Sequence, residues 1–413
     1  MNVGIFSDTY LPKIDGVAVS ISDLIGRFDE LGVEYDLYVP HVPNCSSRKN
    51  VYRFRSLPLI FQPEVRLSLT LDVRNLKRAY TRRYDVVHSH SPGPVGMLAT
   101  QVALTRGVAH FHTVHTYLPD YTHYIFQGRI LRPQAVNKVY AFWLNRINYL
   151  VAPSYKVKTW LEQIGVRSEI AVIPNGVKLS RFLKDDNGDY LLKNGFVNPG
   201  ERVILTVGRV AEEKSIDTLI NYFAGLLKER QDVVLVVVGD GPASGQLKEQ
   251  TRRLGIHERV RFTGYINNED MPKAYASADL FTTQSRSETQ GLAVVEALAS
   301  GLPVVIAQDP AYQGMVQEGE NGFYSDSASE FVDSVAAILD DESMARVYGS
   351  KSKTLSREFD IATTTKMLVS FYERGLVSPV GKKRVNLPFS IAKLREELNK
   401  AYNELKNRIG KDV

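Results

Sequence analysis

The fold of this chain is indicated by one stretch, Leu280-Phe-Thr-Thr-Gln-Ser285-Arg-Ser-Glu-Thr-Gln-Gly291-Leu-Ala-Val-Val-Glu-Ala-Leu-Ala-Ser-Gly-Leu-Pro-Val304-Val-Ile. A short apolar run leads into a polar loop with a glycine, a helix-length segment follows, and a β-branched run comes next. A strand, a helix and a second strand in this order indicate a parallel sheet, because parallel neighbours need a long crossover connection.

The same alternation of short β-branched runs and amphipathic segments extends along the rest of the chain. Strands are predicted at residues 3–6, 35–39, 86–89, 108–111, 150–152 and 171–173, and then at 203–207, 233–238, 260–263, 280–283 and 304–307. A polar stretch at residues 184–189 separates the two series. We therefore predict an α/β fold of two Rossmann-like, doubly wound domains, residues 1–190 and 191–376, that face a central cleft.

Residues 377–413 are predicted to be a basic linker followed by an amphipathic helix. The apolar positions of this helix follow a 3-4-3-4 spacing, namely Ile391, Leu394, Leu398, Ala401 and Leu405. Such a stripe packs on the protein body, on a partner helix or on a membrane surface, and the sequence leaves these alternatives open.

The composition excludes several classes of protein. With 413 residues, 44% hydrophobic and 23% charged, the chain is neither disordered, collagen-like nor a coiled-coil rod. Its single cysteine, Cys45, excludes an intramolecular disulfide and a Cys/His zinc site. The start of the chain lacks a secretory signal, and no run reaches the roughly 18 apolar residues of a spanning helix. We expect a cytoplasmic protein that does not cross a membrane.

The formal net charge of +5 is too small to indicate a nucleic-acid partner, but it is unevenly distributed. Residues 1–190 carry 23 Lys and Arg against 16 Asp and Glu, residues 191–379 carry 19 against 26, and residues 380–413 carry 9 against 4. Because surface potential acts over about a Debye length of ~8 Å, the basic first half and tail can face an anionic partner.

The loop and helix of the opening stretch predict an anion site. Gly291 lies near the first turn of the helix, where unpaired N–H groups and the positive end of the helix dipole face the cleft. A diphosphate bound there would leave Glu288 beside a reacting sugar and Glu296 deeper, near ribose hydroxyls. The alternative is that Glu288 is an acidic residue of the helix start and Glu296 an incidental surface residue.

A second segment, Val207-Gly-Arg209-Val-Ala-Glu-Glu-Lys214, follows the first strand of the second domain. Arg209 and Lys214 offer positive charge where a phosphate leaving group could be neutralised. With the turn at residues 174–177 and the segment Asp8-Thr-Tyr-Leu-Pro-Lys-Ile-Asp15-Gly16-Val, these motifs resemble the retaining family 4 glycosyltransferases, which have the GT-B architecture. The resemblance covers roughly residues 1–376.

The resemblance implies a role for each matching residue. Arg209 and Lys214 should contact the diphosphate of a nucleotide sugar, with backbone N–H groups from Gly291 and Leu292; Glu288 should hold the donor sugar's hydroxyls and Glu296 the ribose. Gly16 matches the family's N-terminal loop glycine, but Asp15 replaces the second glycine often found there. The family binds its nucleotide in the second domain and its acceptor mainly in the first, and needs no metal or other cofactor.

Four of the eight histidines fall between residues 109 and 124, directly after a predicted strand. An isolated histidine is most often a satisfied structural group, whereas a cluster at a strand end favours function. Lipid-directed members of the family have a similar His-Thr-aromatic-His-Thr segment. By this resemblance His115 is the site histidine, expected to touch the donor sugar and the acceptor hydroxyl, and His112 is the competing assignment.

Basic and apolar residues are interleaved in the first half. Residues 53–83 contain eight basic and two acidic residues among leucines, and residues 121–161 contain six basic residues and neither Asp nor Glu. This mixture suits an anionic bilayer surface, although a solvated basic face is the simpler alternative.

We therefore predict a peripheral enzyme on the cytoplasmic face of the cell membrane. The resemblance, which includes the diacylglycerol glucosyltransferase branch, implies transfer of a hexose from UDP-glucose to diacylglycerol or a related lipid, giving an α-glycolipid. One alternative is a glycosyltransferase of exopolysaccharide, undecaprenyl-linked or phosphatidylinositol glycan synthesis. The other is a non-catalytic membrane-docking module. A nucleic-acid partner is not expected.

Overall fold

The computed structural model of the protein describes residues 1–13, 15–43, 45, 47–59, 62–70, 72–117, 133–182 and 188–377. The predicted C-terminal amphipathic helix lies outside the described residues, as does the basic linker beyond residue 377. Within these ranges no helix is long and apolar enough to span a bilayer.

The first half forms a parallel sheet with a strand order of β3-β2-β1-β6-β7-β8-β9, and a separate antiparallel hairpin pairs β4 with β5. Its strands are β1 (Asn2–Phe6), β2 (Glu34–Pro40), β3 (Val51–Phe54), β4 (Ser56–Leu59), β5 (Gln62–Ser68), β6 (Val86–Ser89), β7 (Ala109–Thr113), β8 (Tyr149–Ala152) and β9 (Glu169–Val172). Its helices are α1 (Gly16–Leu31), α2 (Val73–Thr81), α3 (Pro94–Arg106), α4 (Pro133–Leu144) and α5 (Tyr155–Gln163).

The second half forms a parallel sheet with the order β12-β11-β10-β13-β14-β15. Its strands are β10 (Arg202–Val207), β11 (Val233–Val238), β12 (Val260–Gly264), β13 (Leu280–Thr283), β14 (Val304–Ile306) and β15 (Gly322–Tyr324). The helices are α6 (Tyr190–Lys193), α7 (Ile216–Leu226), α8 (Ser244–Arg253), α9 (Met271–Ala276), α10 (Leu292–Ala299), α11 (Ala328–Asp340), α12 (Glu342–Ser356) and α13 (Ile361–Val377).

The prediction of two doubly wound α/β sheets is confirmed. Every side chain of β11 is buried, because its run of valine and leucine is sandwiched between helices on both faces of the sheet. The strand order reverses between β1 and β6 in the first sheet and between β10 and β13 in the second. Ligands of such sheets bind beyond the carboxyl ends of the strands at these reversals. We therefore expect a ligand site near the loops that follow β1, β10 and β13.

The last described helix, α13, returns to the first sheet. Its residues Leu368, Phe371 and Tyr372 are buried in the core around β1, β2 and β7. Near its end, Gly375 packs so closely that an added Cβ would lie 2.6 Å from Phe111 Cζ and 2.9 Å from Tyr149 Cε2. The chain therefore crosses between the halves twice, once before β10 and once before α13.

Substitution of Gly375 by alanine should destabilise the protein by about 1–3 kcal/mol, because the methyl group overpacks two buried rings. Gly26→Ala is the matched control: Gly26 lies inside α1 with nothing within 4 Å of an added Cβ. There the better helix propensity of alanine should stabilise by about 0.5–1 kcal/mol. Urea unfolding measures both, and equal effects would contradict the packing of α13 on the first sheet.

Candidate active site

The loop between β13 and α10 is held in a defined shape by one tyrosine. Gly291 is the residue before α10 and has φ of 84°, which favours glycine. An added Cβ there would lie 2.5 Å from Cε1 of the buried Tyr312, whose hydroxyl donates to the Ser285 carbonyl at 2.8 Å. The start of α10 is therefore held in a fixed position beyond the end of β13, and with it the first N–H groups of the helix, from Leu292 onward.

Two predicted site residues meet in this loop. Lys214, at the end of the turn after β10, places Nζ 2.5 Å from Glu288 Oε1, and the Ser285 hydroxyl donates to the same oxygen at 3.1 Å. Both charged side chains are partly exposed, at 20% and 23%. The structure thus joins a cation and a carboxylate from different segments at the N-terminus of α10, where a phosphoryl group and a sugar could both be contacted.

Arg209 lies after β10, as Lys214 does, and forms an ion pair with Glu213. Its guanidinium is 46% exposed and approaches the buried carboxylate of Glu213 at 3.9 Å. The backbone carbonyl of Glu213 accepts a hydrogen bond of 2.8 Å from Ser287, in the loop that carries Glu288. Arg209 is therefore linked to this loop through Glu213 and keeps part of its guanidinium open to the cleft.

Glu296 lies about one turn inside α10, which begins at Leu292, and has a different environment. Tyr275 donates its hydroxyl to Glu296 Oε2 at 2.8 Å. Burial raises the pKa of Glu296 to about 7, opposed by the Tyr275 hydrogen bond and the charge of Arg181, while Asp23 of α1 raises it further. Glu296 therefore carries a proton far more readily than an ordinary carboxyl group.

Substitution of Glu296 by glutamine should stabilise the ligand-free protein at pH 8 by about 1–2 kcal/mol after solvent screening. The folded pKa of about 7 lies above the reference value of 4.5, so the folded state binds the proton more tightly. Stability therefore falls as pH rises from about 4.5 to 7, and the gain from Glu296→Gln should shrink toward pH 5. Thermal melts at both pH values test this, with exposed Glu258→Gln as control; a pH-independent difference would contradict it.

The glycine loop of the first domain faces α10. An added Cβ on Gly16 would lie 3.6 Å from Leu292 Cδ1, so the N-termini of α1 and α10 oppose each other. Asp15, which replaces the family's second glycine, caps α1 by accepting from the Ala18 N–H at 2.8 Å. Its carboxylate places negative charge at the start of α1, which leaves α10 as the better of the two termini for an anion.

The structure separates the two candidate histidines. We predicted that the histidine cluster follows its strand, but β7 runs to Thr113 and pairs with β6 and β8, so His110 and His112 lie inside the sheet. The physical reason is that β6 and β8 pair with β7 over this length, and Ser89 of β6 contacts one ring nitrogen of each histidine: its hydroxyl lies 2.8 Å from His112 Nδ1 and 2.9 Å from His110 Nε2. His112 is also covered by Trp143.

His115 lies beyond the end of β7 and is partly exposed. Its Nε2 lies 3.0 Å from His90 Nδ1. Burial lowers the pKa of His115 to about 4 despite the opposing charge of Asp15, so its ring is neutral at pH 7. A neutral imidazole at this position can either donate one hydrogen bond to a ligand or accept one from it.

The sequence did not reveal the contacts that join the domains beside the site. Lys156 of α5 places Nζ 2.8 Å from Asp309 Oδ2 and donates to the carbonyl of Arg286. Gln290 accepts from the backbone N–H of Asn175 at 2.6 Å and donates to its carbonyl at 3.0 Å. The motif around Asn175 signals only a turn, and Lys156 has no signal in the sequence.

Part of the predicted acceptor side lies outside the described residues, namely 118–132. Within the described ranges, no three His, Cys, Asp or Glu side chains are arranged to hold a metal ion. That the reaction needs no metal or other cofactor stays a prediction.

Comparison with known proteins covers both domains. Residues 14–181 match the family model "Glycosyltransferase Family 4", and residues 191–355 match "Glycosyl transferases group 1". The chain is 32% identical over 330 residues to the alpha-monoglucosyldiacylglycerol synthase of Streptococcus pneumoniae, covering 77% of this chain and 74% of the relative. The protein of the same name from Acholeplasma laidlawii is 29% identical over 347 residues, covering 80% of this chain and 86% of the relative.

Among solved structures, that of Anabaena HepE in complex with UDP-glucose is similar with a TM-score of 0.72. The match covers 91% of this chain and 100% of that one at 20% sequence identity, and therefore concerns the fold alone.

Proposed function

The chain belongs to the family 4 glycosyltransferases and has their GT-B fold, and from that membership we propose that it transfers glucose from UDP-glucose to diacylglycerol with retention, giving an α-glycolipid. The observation that carries the proposed chemistry is the contact between Lys214 and Glu288 at the N-terminus of α10. In this proposal the cation, from the turn after β10, serves a leaving diphosphate, and the carboxylate, from the loop after β13, serves a sugar.

In the proposed complex the diphosphate binds at the N–H groups of Gly291 and Leu292, with Lys214 and Arg209 on its other sides. As the bond between the sugar carbon and the phosphate oxygen breaks, its electron pair moves to the diphosphate. The helix dipole and the two cations stabilise that charge. These groups interact more strongly with the diphosphate in the transition state, where its negative charge increases, than in the ground state. They therefore increase the rate of transfer.

Glu288 is proposed to hold hydroxyls of the donor sugar, Glu296 those of the ribose, and His115 a sugar oxygen near the acceptor hydroxyl. For retention we favour a front-face route on family analogy. The acceptor oxygen forms its bond to the sugar carbon on the face that the phosphate leaves, and a phosphate oxygen takes the acceptor proton. This route needs no enzyme nucleophile, so Glu288 has a positioning and charge-stabilising role.

Two observations support a lipid acceptor. Both relatives described above are alpha-monoglucosyldiacylglycerol synthases by name. The first domain also carries exposed apolar side chains beside exposed cations: Leu57 and Leu67 are opposite each other in the β4–β5 hairpin and are 56% and 44% exposed, and Val73 is 77% exposed.

Transfer is tested with UDP-[14C]glucose and vesicles of an anionic phospholipid with or without diacylglycerol. We expect a labelled glycolipid only when diacylglycerol is present, and NMR of the product should show an α-linkage. Phosphatidylinositol and an undecaprenyl carrier are offered in parallel, and transfer of label to one of them instead would identify that lipid as the acceptor in place of diacylglycerol. A β-linked product would overturn retention, and no transfer from any nucleotide sugar would favour a non-catalytic docking module.

The structure divides the basic residues between positions 53 and 83 into two sets. Four form hydrogen bonds or ion pairs with other residues of the first domain, namely Arg53, Arg66, Arg78 and Arg82. Four others are exposed, namely Arg55, Arg74, Lys77 and Arg83. We propose that this exposed set, the basic patch, rests on an anionic membrane surface at the cytoplasmic face.

Replacing all four residues of the basic patch by glutamine should weaken binding to anionic vesicles strongly at low salt, because each cation near such a surface contributes about 1 kcal/mol. A second variant removes the same charge from exposed positions of the second half, Lys193, Lys228, Arg253 and Arg346. Vesicle co-sedimentation should separate the two variants at low salt and less so at high salt. An equal loss of vesicle binding in both variants would contradict a membrane-binding surface formed by the basic patch.

A further inference from the structure

His90 lies directly after β6 and is enclosed by two other histidines. Its ring centroid is 4.1 Å from that of His88 and 5.3 Å from that of His115, with which its ring is nearly parallel, at 22°. Only 4% of His90 is exposed. Its Nδ1 lies 3.0 Å from His115 Nε2, within hydrogen-bond distance. The partly exposed His115 thus rests on a ring that packing holds in place.

The contact between these rings holds a single proton. Burial lowers the pKa of His90 well below its usual value and that of His115 to about 4, so both imidazoles are neutral near pH 7. A neutral imidazole has one N–H and one bare nitrogen. If His90 donates through Nδ1, His115 must carry its own proton on Nδ1; if His115 donates through Nε2, its Nδ1 is bare.

One observation favours the first arrangement. The other ring nitrogen of His90, Nε2, is buried, and no polar atom of the described residues lies within hydrogen-bond distance of it. A buried N–H without an acceptor is rarer and more costly than a bare nitrogen without a donor, so the proton of His90 belongs on Nδ1.

The neighbour His88 leaves this choice open. Its Nδ1 lies 2.5 Å from the Tyr372 hydroxyl and its Nε2 lies 2.8 Å from the Thr113 hydroxyl. Each hydroxyl can donate or accept, so either tautomer of His88 is satisfied. His88 therefore supports the ring of His90 by direct ring contact, with the two rings tilted by 37°, without imposing a proton position on it.

We propose that His90 is a positioning residue that donates from Nδ1 to His115 Nε2 and so holds His115 as the Nδ1–H tautomer. His115 then presents an N–H donor to a ligand oxygen. The proton position does not depend on the proposed function, whereas its catalytic consequence rests on that function, in which the oxygen belongs to the donor sugar or the acceptor.

Three substitutions separate the two ring nitrogens of His90. His90→Asn places an amide near the former Nδ1 and can still donate to His115. His90→Gln places its amide near the former Nε2 and leaves a methylene group where Nδ1 was. His90→Leu removes both groups. Because His110 is also a buried histidine bonded to Ser89 but has no contact with His115, His110→Gln is the matched control for loss of a buried imidazole.

The direct measurement is nitrogen NMR of the full-length protein labelled with 15N-histidine, with His115 assigned by its loss in His115→Gln. We expect a protonated Nδ1 and a bare Nε2 for His115 in the wild type, in His90→Asn and in His110→Gln. In His90→Gln and His90→Leu the His115 signals should shift toward a mixture of tautomers. Should His90→Leu fail to fold, the Asn and Gln pair carries the comparison.

Transfer kinetics provide the second measurement. His90→Gln should lower kcat about 10-fold with little change in the KM for the nucleotide sugar, because the donor to the reacting oxygens is misplaced. His90→Asn should restore most of the rate, which mere loss of packing would not allow.

A protonated Nε2 on wild-type His115, or an unchanged tautomer in His90→Gln and His90→Leu, would overturn the inference. If the tautomers behave as expected but no sugar is transferred, the proposed function fails and the positioning role of His90 stands. If sugar is transferred normally by every His90 variant, the link between tautomer and catalysis is wrong.

Discussion

Glu288→Gln is expected to lower kcat for glycosyl transfer by about 100- to 1000-fold, the usual cost of removing a preorganised electrostatic group. Glutamine keeps the shape of the side chain, and Ser285 can still donate to it. What is lost is the negative charge that lies 2.5 Å from Lys214 Nζ. Without it, the ammonium is no longer held between carboxylate and diphosphate, and positive charge developing on the sugar has no opposing carboxylate.

The effect should be coupled to Lys214. Lys214→Met alone should lower the rate by a similar factor, and the double variant should lose much less than the product of the two, because residues in contact act as a unit. Glu229→Gln, at an exposed position after α7, is the control for loss of one carboxylate. Fully multiplicative effects, or normal turnover by Glu288→Gln with an intact fold, would contradict the assignment of this pair to the reaction.

Gly291→Ala is expected to destabilise the protein by about 2–4 kcal/mol and to abolish stabilisation by UDP. Alanine must adopt φ of 84° and must place its Cβ 2.5 Å from Tyr312 Cε1. Tyr312 is fully buried and holds the Ser285 carbonyl, so relief of the overlap moves the loop that carries Glu288. The N–H groups at the start of α10 then no longer converge on a phosphate.

Gly314→Ala isolates the steric part of this prediction. Gly314 has the same φ of 84° and lies two residues after Tyr312, but nothing lies within 4 Å of an added Cβ. This control should be destabilised only by the backbone strain of alanine at positive φ, by about 1 kcal/mol or more, and should keep its response to UDP. Thermal shift with UDP at about a hundred times its Kd, where wild-type stabilisation is about 2.7 kcal/mol, measures both variants. A Gly291→Ala protein that melts like Gly314→Ala and still responds to UDP would contradict the proposed phosphate site.

Most strands could be predicted from the sequence, and those that were missed share a physical cause. Four of the described strands are not predicted, and each has one paired neighbour: Val51–Phe54 and Gly322–Tyr324 each lie at one edge of a parallel sheet, and Ser56–Leu59 pairs with Gln62–Ser68 in the hairpin. An outer strand has one paired neighbour and a short apolar pattern, so its sequence barely differs from that of a loop. Central strands are buried on both faces and contain runs of apolar residues, of which Val233–Val238 is the longest β-branched example, and such runs are recognisable in the sequence.

The sequence by itself determined most of the strands and helices, and several of the polar residues that follow the strands, because periodicity, caps and glycine turns are local properties. It therefore identified Arg209, Lys214, Glu288 and His115 as residues near strand ends. It could not determine which of these meet. Lys214 and Glu288 are 74 residues apart and His90 and His115 are 25 apart, and each contact depends on which strands become neighbours.

The tertiary structure also decided between His112 and His115 as the accessible histidine. Both belong to one short segment, and they differ because His112 lies opposite Ser89 of β6 and contacts its hydroxyl, whereas His115 follows Thr113, the last residue of β7. Only packing could show this, since a hydrogen bond to a neighbouring strand leaves no mark on the segment that receives it. The same holds for α13, whose apolar stripe predicts a helix but not that it returns to the first sheet.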